Sequence, residues 1–206
     1  MHMPMSKQWS TDAELQARWQ SGLGSKNMFD EQLLLSYRQW VHYKINNRFR
    51  LSFSPFAYFN AYPFITKPGD EALTSSIEYR LAIAAEYMVQ VSDKLLLNSR
   101  VGAEYRMFEK IDNNWRTRYR IGGKYGIGKK YNVTGNYELL FTTHNRDALS
   151  HLDNERVWAT VGRNLTTKLK AEIGLMHLRR KINNNQIFVR EADILFNITY
   201  SLANEN

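Results

Sequence analysis

The chain has 206 residues, 43% of them hydrophobic, and carries 28 Lys+Arg against 20 Asp+Glu for a net charge of +8. That length suits one all-β domain. The absence of any run of about 18 apolar residues excludes a transmembrane helix, and the absence of cysteine excludes disulfide scaffolds and thiolate metal sites.

The start, Met1-His2-Met3-Pro4-Met5, lacks the charged and apolar regions of a secretory signal. Residues 1–8 are therefore read as a disordered start that follows removal of such a signal. From Trp9 onward the chain alternates apolar and polar residues, the mark of strands with one oily and one wet face. The first strand, Trp9 to Gln20, sets Ala13, Leu15, Ala17 and Trp19 against Asp12, Glu14, Gln16 and Arg18. The second, Phe29 to Lys44, sets Phe29, Leu33, Leu35, Tyr37, Val41 and Tyr43 against Gln32, Ser36, Arg38 and His42. The third, Arg48 to Asn60, sets Phe49, Leu51 and Phe53 against Arg50, Ser52 and Ser54. The fourth, Thr74 to Val91, is the longest, with Ile77 to Val91 alternating against Ser76, Glu78, Arg80, Ala82, Ala84, Glu86, Met88 and Gln90.

The fifth, Leu95 to Phe108, places Asn98, Arg100, Gly102, Glu104 and Arg106 on the wet face. The sixth, Trp115 to Tyr125, places Arg116, Arg118, Arg120 and Gly122 there, and the seventh, Tyr131 to Thr142, places Thr134, Asn136, Glu138 and Thr142 there. The eighth, Arg156 to Leu165, sets Val157, Ala159 and Val161 against Arg156, Trp158, Thr160 and Gly162. The ninth, Leu169 to Arg179, sets Ala171, Ile173 and Leu175 against Lys170, Glu172 and Gly174. The tenth runs from Ala192 to Leu202 and alternates with Leu195 as its lone exception; residues 203–206 form a tail.

Short turns (Asn46-Asn47, Ser92-Asp93-Lys94, Gly128-Lys129-Lys130, Thr166-Thr167) alternate with longer connections (Ala61 to Leu73, Thr143 to Glu155, Arg180 to Glu191). Dozen-residue strands that are oily on one side throughout, short turns at one end and longer loops at the other predict a transmembrane β-barrel. Residues 9–202 are thus read as one antiparallel barrel of about ten strands, with eight or twelve as the neighbouring even counts. The 12 Tyr, 10 Phe and 5 Trp suit girdles at the membrane–water interfaces. The rival is a soluble calyx-type β-barrel that binds an apolar ligand, with the oily face inward. Periodicity alone does not separate inside from outside; strand length favours the membrane.

The wet face carries the candidate site. Arg38, Arg80, Arg100, Arg106, Arg116, Arg118 and Arg120 share its parity with Glu78, Glu86, Glu104 and Glu138. Arg and Glu rows on neighbouring strands pair across them, so inside a narrow barrel they form either a salt-bridged plug or a positive stripe for small anions. The motifs Glu104-Tyr-Arg106, Arg116-Thr-Arg-Tyr-Arg120 and Asn136-Tyr-Glu138 in successive strands resemble an uncharacterised outer-membrane β-barrel family, one of the numbered domains of unknown function (number 2490). The resemblance covers most of the chain, best from Glu78 to the end. It implies a barrel in the outer membrane of a Gram-negative envelope and supplies no activity or cofactor.

Other chemistry is weakly supported. The stretch Thr143 to Asp153 holds His144, His151, two Asp and Ser150, enough for a rim hydrolase but ordinary for a polar loop. The glycines of Gly122 to Gly128 lie on a strand, where they relieve curvature. The scattered histidines offer no metal spacing, and inward-facing Arg disfavours nucleic acid. The sequence therefore predicts a monomer in outer-membrane lipid without cofactor, either a narrow, mildly anion-preferring channel or a structural envelope barrel. The hydrolase stands third.

Overall fold

In a computed structural model, residues 1–65, 67–128, 130–144, 150–182 and 187–202 are described, and of residues 144, 150, 151, 182, 187 and 188 the backbone alone. The strands are β1 (His2–Pro4), β2 (Trp9–Gln20), β3 (Glu31–Lys44), β4 (Phe49–Ala61), β5 (Ser76–Gln90), β6 (Leu95–Phe108), β7 (Asn114–Ile127), β8 (Tyr131–His144), β9 (Ser150–Asn164), β10 (Leu169–Ile182) and β11 (Ile187–Tyr200). They form one sheet in sequence order, each strand antiparallel to the next. The sheet curls into a barrel of ten long strands.

Three expectations change. Residues 1–8 are not disordered throughout: β1 pairs with β2 at the short-turn end and bridges His2 to Ser201 beside β11. The Leu202 amide donates to the His2 carbonyl at 2.9 Å. Farther along, Arg18 of β2 meets Asp193 of β11 at 3.5 Å. The second difference concerns the long connections after β8 and β10. Strand β9 begins at Ser150, β10 continues to Ile182 and β11 starts at Ile187, so much of both expected loops is strand. Polar residues on the ladder ends hid this, because alternation fades where strands rise out of an oily environment. Third, Leu33, assigned to the oily face, is buried at a bulge where Arg18 and Trp19 of β2 face Leu34 and Gln32.

The short turns are closed by their own side chains. Asn46 Oδ1 accepts from the amides of Arg48 (2.8 Å) and Phe49 (2.9 Å). Thr166 Oγ1 does the same for Lys168 (3.1 Å) and Leu169 (3.0 Å), and Ser92 and Ser6 hold their turns likewise. Such side-chain turns are why Asn, Ser and Thr punctuate hairpins. Between β7 and β8, Gly128 supplies a φ of +63° instead.

The oily face is outside. Leu15, Leu51, Phe53, Ile83, Val101, Ile121, Val161, Ile173, Leu175, Ile194, Phe196 and Ile198 are all exposed large apolar residues, Ile83 at 61%. Aromatic rings flank this band. Near the short turns stand Trp9 against Tyr43 (4.8 Å between centroids) and Phe49 against Tyr87 (4.7 Å), with Tyr125, Tyr131 and Tyr200 also exposed there. Toward the other end stand Tyr105 against Trp115 (4.9 Å), Trp19 against Phe29 (6.1 Å) and Tyr79 against both Phe56 and Tyr58. An apolar band between two aromatic girdles matches a bilayer with its two interfaces, and the calyx arrangement with its oily lining does not occur. Among the described residues no helix is long and apolar enough to cross a membrane, which says nothing about strands.

Small residues on the inner wall make room for large ones. Ser52, Ser54, Ala57, Ala82 and Ala84 are buried beside the arginines. At Gly174 a Cβ would lie 2.1 Å from the Ala159 carbonyl oxygen, and at Gly122 it would lie 2.2 Å from Asn136 Oδ1. Neighbouring strands approach too closely there for any side chain, the condition for tight curvature.

Candidate functional site: the charged lumen

The inner wall is built from register rows that cross several strands. One row aligns Arg50, Glu86, Arg100, Arg120, Glu138 and Arg156 from β4 to β9. The neighbouring row aligns Ala84, Gly102 and Arg118, the one beyond it Glu104 with Arg116, and the next places Arg80 beside Arg106. Period-two alternation sends every one of these side chains to the same side of the sheet.

The lumen's deepest charge is Glu104, 1% exposed. Its carboxylate takes Arg118 at 2.7 Å, Arg38 from β3, three strands away, at 3.0 Å and Arg80 at 3.5 Å. Toward the loop end Glu78 grips Arg80 and Arg106, each through two bonds of 2.5–3.0 Å. Around the wall Glu138 takes Arg118 at 2.8 Å and Arg156 at 3.1 Å. Nearer the short turns Glu86 binds Arg50 through two donors, accepts from Asn98 at 3.1 Å and stands 3.6 Å from Arg120. Arg116 is held by Asp153 at 2.6 Å. Multiply hydrogen-bonded pairs of this kind offset the desolvation of buried charge, which unpaired groups could not.

The arginines also stack. Arg80 lies 3.7 Å and Arg38 5.2 Å from the Phe59 centroid. Arg100 lies 4.6 Å and Arg38 5.2 Å from that of Trp40. Guanidinium over an aromatic face is an attraction that strengthens when water is excluded. Between Trp40, Arg38, Arg100, Glu104, Arg118 and Arg120 lies a cavity of about 100 Å³. At the short-turn end, Asp12 joins His2 (2.5 Å) and His42 (3.0 Å), and His42 reaches the Ser52 hydroxyl at 2.8 Å. On β8 and β10 the inner wall also buries Leu140, Met176 and Leu178.

The predicted residues Arg38, Glu78, Arg80, Glu86, Arg100, Glu104, Arg106, Arg116, Arg118, Arg120 and Glu138 all stand on this inner wall: Arg38, Glu78, Arg80, Glu104, Arg106, Arg118 and Glu138 share one chain of ion pairs, Glu86 takes Arg120, Arg116 takes Asp153, and Arg100 rests on Trp40. Sequence reasoning put Arg50, Arg156, Asp12 and His42 on the wet face without assigning them to the site. It missed Trp40 and Phe59 altogether: Trp40 has the parity of Arg38, a signal that was available, whereas Phe59 reaches the lumen only because of a bulge. Of the stretch weighed for hydrolysis, Asp153 is committed to Arg116 and Thr142. The side chains of His144, Ser150 and His151, with residues 145–149, lie outside the described residues. No cluster of metal-ligating side chains occurs among the described residues.

The family described as "Protein of unknown function (DUF2490)" matches residues 1–188. No curated protein matches the chain. Two solved forms of OmpT, an outer membrane protein of Vibrio cholerae folded in vitro, align with it. The first is 9% identical with a TM-score of 0.46, covering 96% of this chain and 62% of that one. The trimer form is 8% identical with a TM-score of 0.44, covering 94% and 75%. The chain thus spans less than two thirds of the length of the first.

Proposed function

The chain belongs to the DUF2490 family of proteins of unknown function, and from that premise we propose that it is a monomeric barrel of a Gram-negative outer membrane, an envelope component with a plugged lumen rather than an open pore. The apolar band between two aromatic girdles supports the membrane setting. One observation carries the plug: Glu104 draws arginines from β3, β5 and β7 onto a single buried carboxylate, Arg38 reaching it from three strands away. A knot of paired, buried charges leaves no continuous water column where it stands. The role of such a barrel then rests with its exterior and its loops.

A second reading, the narrow anion channel, draws on the excess of arginine in the same lattice. Planar-bilayer recording of the refolded protein under a salt gradient separates the two. A folded but silent barrel is the expected result. Steady openings with an anion-selective reversal potential would replace the plug with a conduction path. Failure to insert into lipid, with a monomer that folds in plain buffer, would remove the membrane setting itself. We assign no catalysis; lipid or peptide cleavage that disappears on alanine replacement of His144 and His151 would reverse that assignment.

A further inference from the structure

The row Arg50, Glu86, Arg100, Arg120, Glu138, Arg156 would alternate in sign across six strands but for one fault. Arg100 and Arg120 are direct cross-strand partners. Like charges directly opposite repel, and their neighbours do not resolve the conflict. Glu86, directly opposite Arg100 on β5, is engaged by Arg50 and Asn98 and also stands 3.6 Å from Arg120. Glu138, opposite Arg120, is engaged by Arg118 and Arg156. Among the described residues Arg100 has no carboxylate within ion-pair distance and rests on the face of Trp40 instead.

This fault opens onto the 100 Å³ cavity. On a comparable measure one water needs roughly 10–15 Å³, so the space takes several waters or one small oxyanion. Its wall sets Arg38, Arg100, Arg118 and Arg120 against Glu14, Glu104 and Glu138; among the described residues Nε of Arg38 and Nε of Arg120 have no hydrogen-bond partner, whereas the unbonded oxygens Oε2 of Glu104 and Oε2 of Glu138 are taken up in ion pairs with Arg80 and Arg156. Surplus positive charge, unused donors and a cavity of the right size coincide.

We propose that the cavity between Arg100, Arg120 and Trp40 is an occluded binding site for one small inorganic anion of the phosphate class. The anion sits where the row lacks a negative charge and restores its alternation. It accepts from the two opposed guanidiniums and from the idle Nε groups, while Trp40 holds Arg100 in place by stacking. The site deepens the reading of the lumen as a closed plug and rests on it: an anion here is a structural member of the lattice.

The test uses the full chain refolded in lipid vesicles, with inorganic phosphate as probe and a bulky sulfonate buffer keeping ionic strength constant. Equilibrium dialysis should find saturable binding approaching one phosphate per chain. Arg100→Met, which keeps the stem over Trp40 and removes the charge, should weaken that binding at least tenfold, and Arg120→Gln should act likewise. Lys94→Ala, on a distant turn, should leave it unchanged. Absence of saturable binding in the unaltered protein overturns the site whatever the variants do. Equal binding by the unaltered protein and a folded Arg100→Met overturns it too. Bilayer recording keeps the two ideas apart: a conducting barrel that still binds one phosphate would remove the plug and leave the site, whereas a silent barrel that binds none would do the reverse.

Discussion

The guanidinium of Arg80 lies 3.7 Å from the centroid of the Phe59 ring, inside the barrel. Phe49, Leu51 and Phe53 of the same strand face outward, and uninterrupted alternation would send Phe59 out with them. The register of β4 against β5 shifts between Ser54 and Ala57, where Pro55 and Phe56 sit opposite a single partner position. A bulge of this kind reverses the faces of everything beyond it, and Pro55, lacking an amide hydrogen, fits where the ladder is broken. Phe59→Leu keeps the apolar bulk and removes the π face. It should lower stability by about 1–2 kcal/mol, read by urea unfolding in vesicles. A change within error would mean that Arg80 is held by Glu78 and Glu104 without help from the ring.

Removing the charge of Glu104 should be among the costliest single changes. Glu104→Gln leaves Arg38 and Arg118 without their shared counter-charge, and breaking a buried pair from one side costs about 3–5 kcal/mol. Adding Arg38→Gln should recover part of that loss, since Glu104 is the only carboxylate within ion-pair distance of Arg38 among the described residues and the second change withdraws a charge the first left stranded. Strictly additive losses in the double variant would show that the two side chains act independently.

The glycines separate by wall geometry. Gly174→Ala pushes a methyl against the Ala159 carbonyl, whereas Gly135 has nothing within 4 Å of its Cβ position. Heat-modifiable gel mobility should fall sharply for the first and persist for Gly135→Ala. Equal behaviour of the two would deny the close approach of β9 and β10.

The outer band should resist charge. Ile83 stands on the middle of β5 facing outward, and Ile83→Arg at the bilayer midplane should cost about 2–4 kcal/mol. Vesicles of the refolded variant would be unfolded in urea beside the unaltered protein. A cost below about 0.5 kcal/mol, the range of ordinary surface substitutions, would place that face in water.

Much of this is legible in the sequence. The turns at Asn46, Ser92 and Thr166 are marked by residues whose side chains cap backbone amides, so they declare themselves locally. Residues Leu95 to Phe108 form a strand with the expected bounds, because from Asn98 to Arg106 its wet parity holds no large apolar residue. Local reasoning failed where the signal was not local. The bulge that turns Phe59 inward leaves only a Pro-Phe pair in the text. The strand ends at Ser150 and Ile187 are held by neighbours rather than by their own pattern. Arg50 and Arg156 were visible on the wet face, yet nothing in their own strands says that they terminate a row six strands wide.

The sequence by itself determined that each strand has two unlike faces, that the chain forms an antiparallel series of hairpins, and that arginine and glutamate share one face. Each of those statements concerns residues two apart or joined by a turn, and the pleat and turn chemistry translate them directly. Which face lies inside was decided only by the curl of the sheet, because alternation reads the same from either side. Which Arg meets which Glu was decided by register: a slip of two residues preserves every face and exchanges every partner. The opposition of Arg100 to Arg120 therefore belongs to the tertiary structure alone, and so does the cavity beside it.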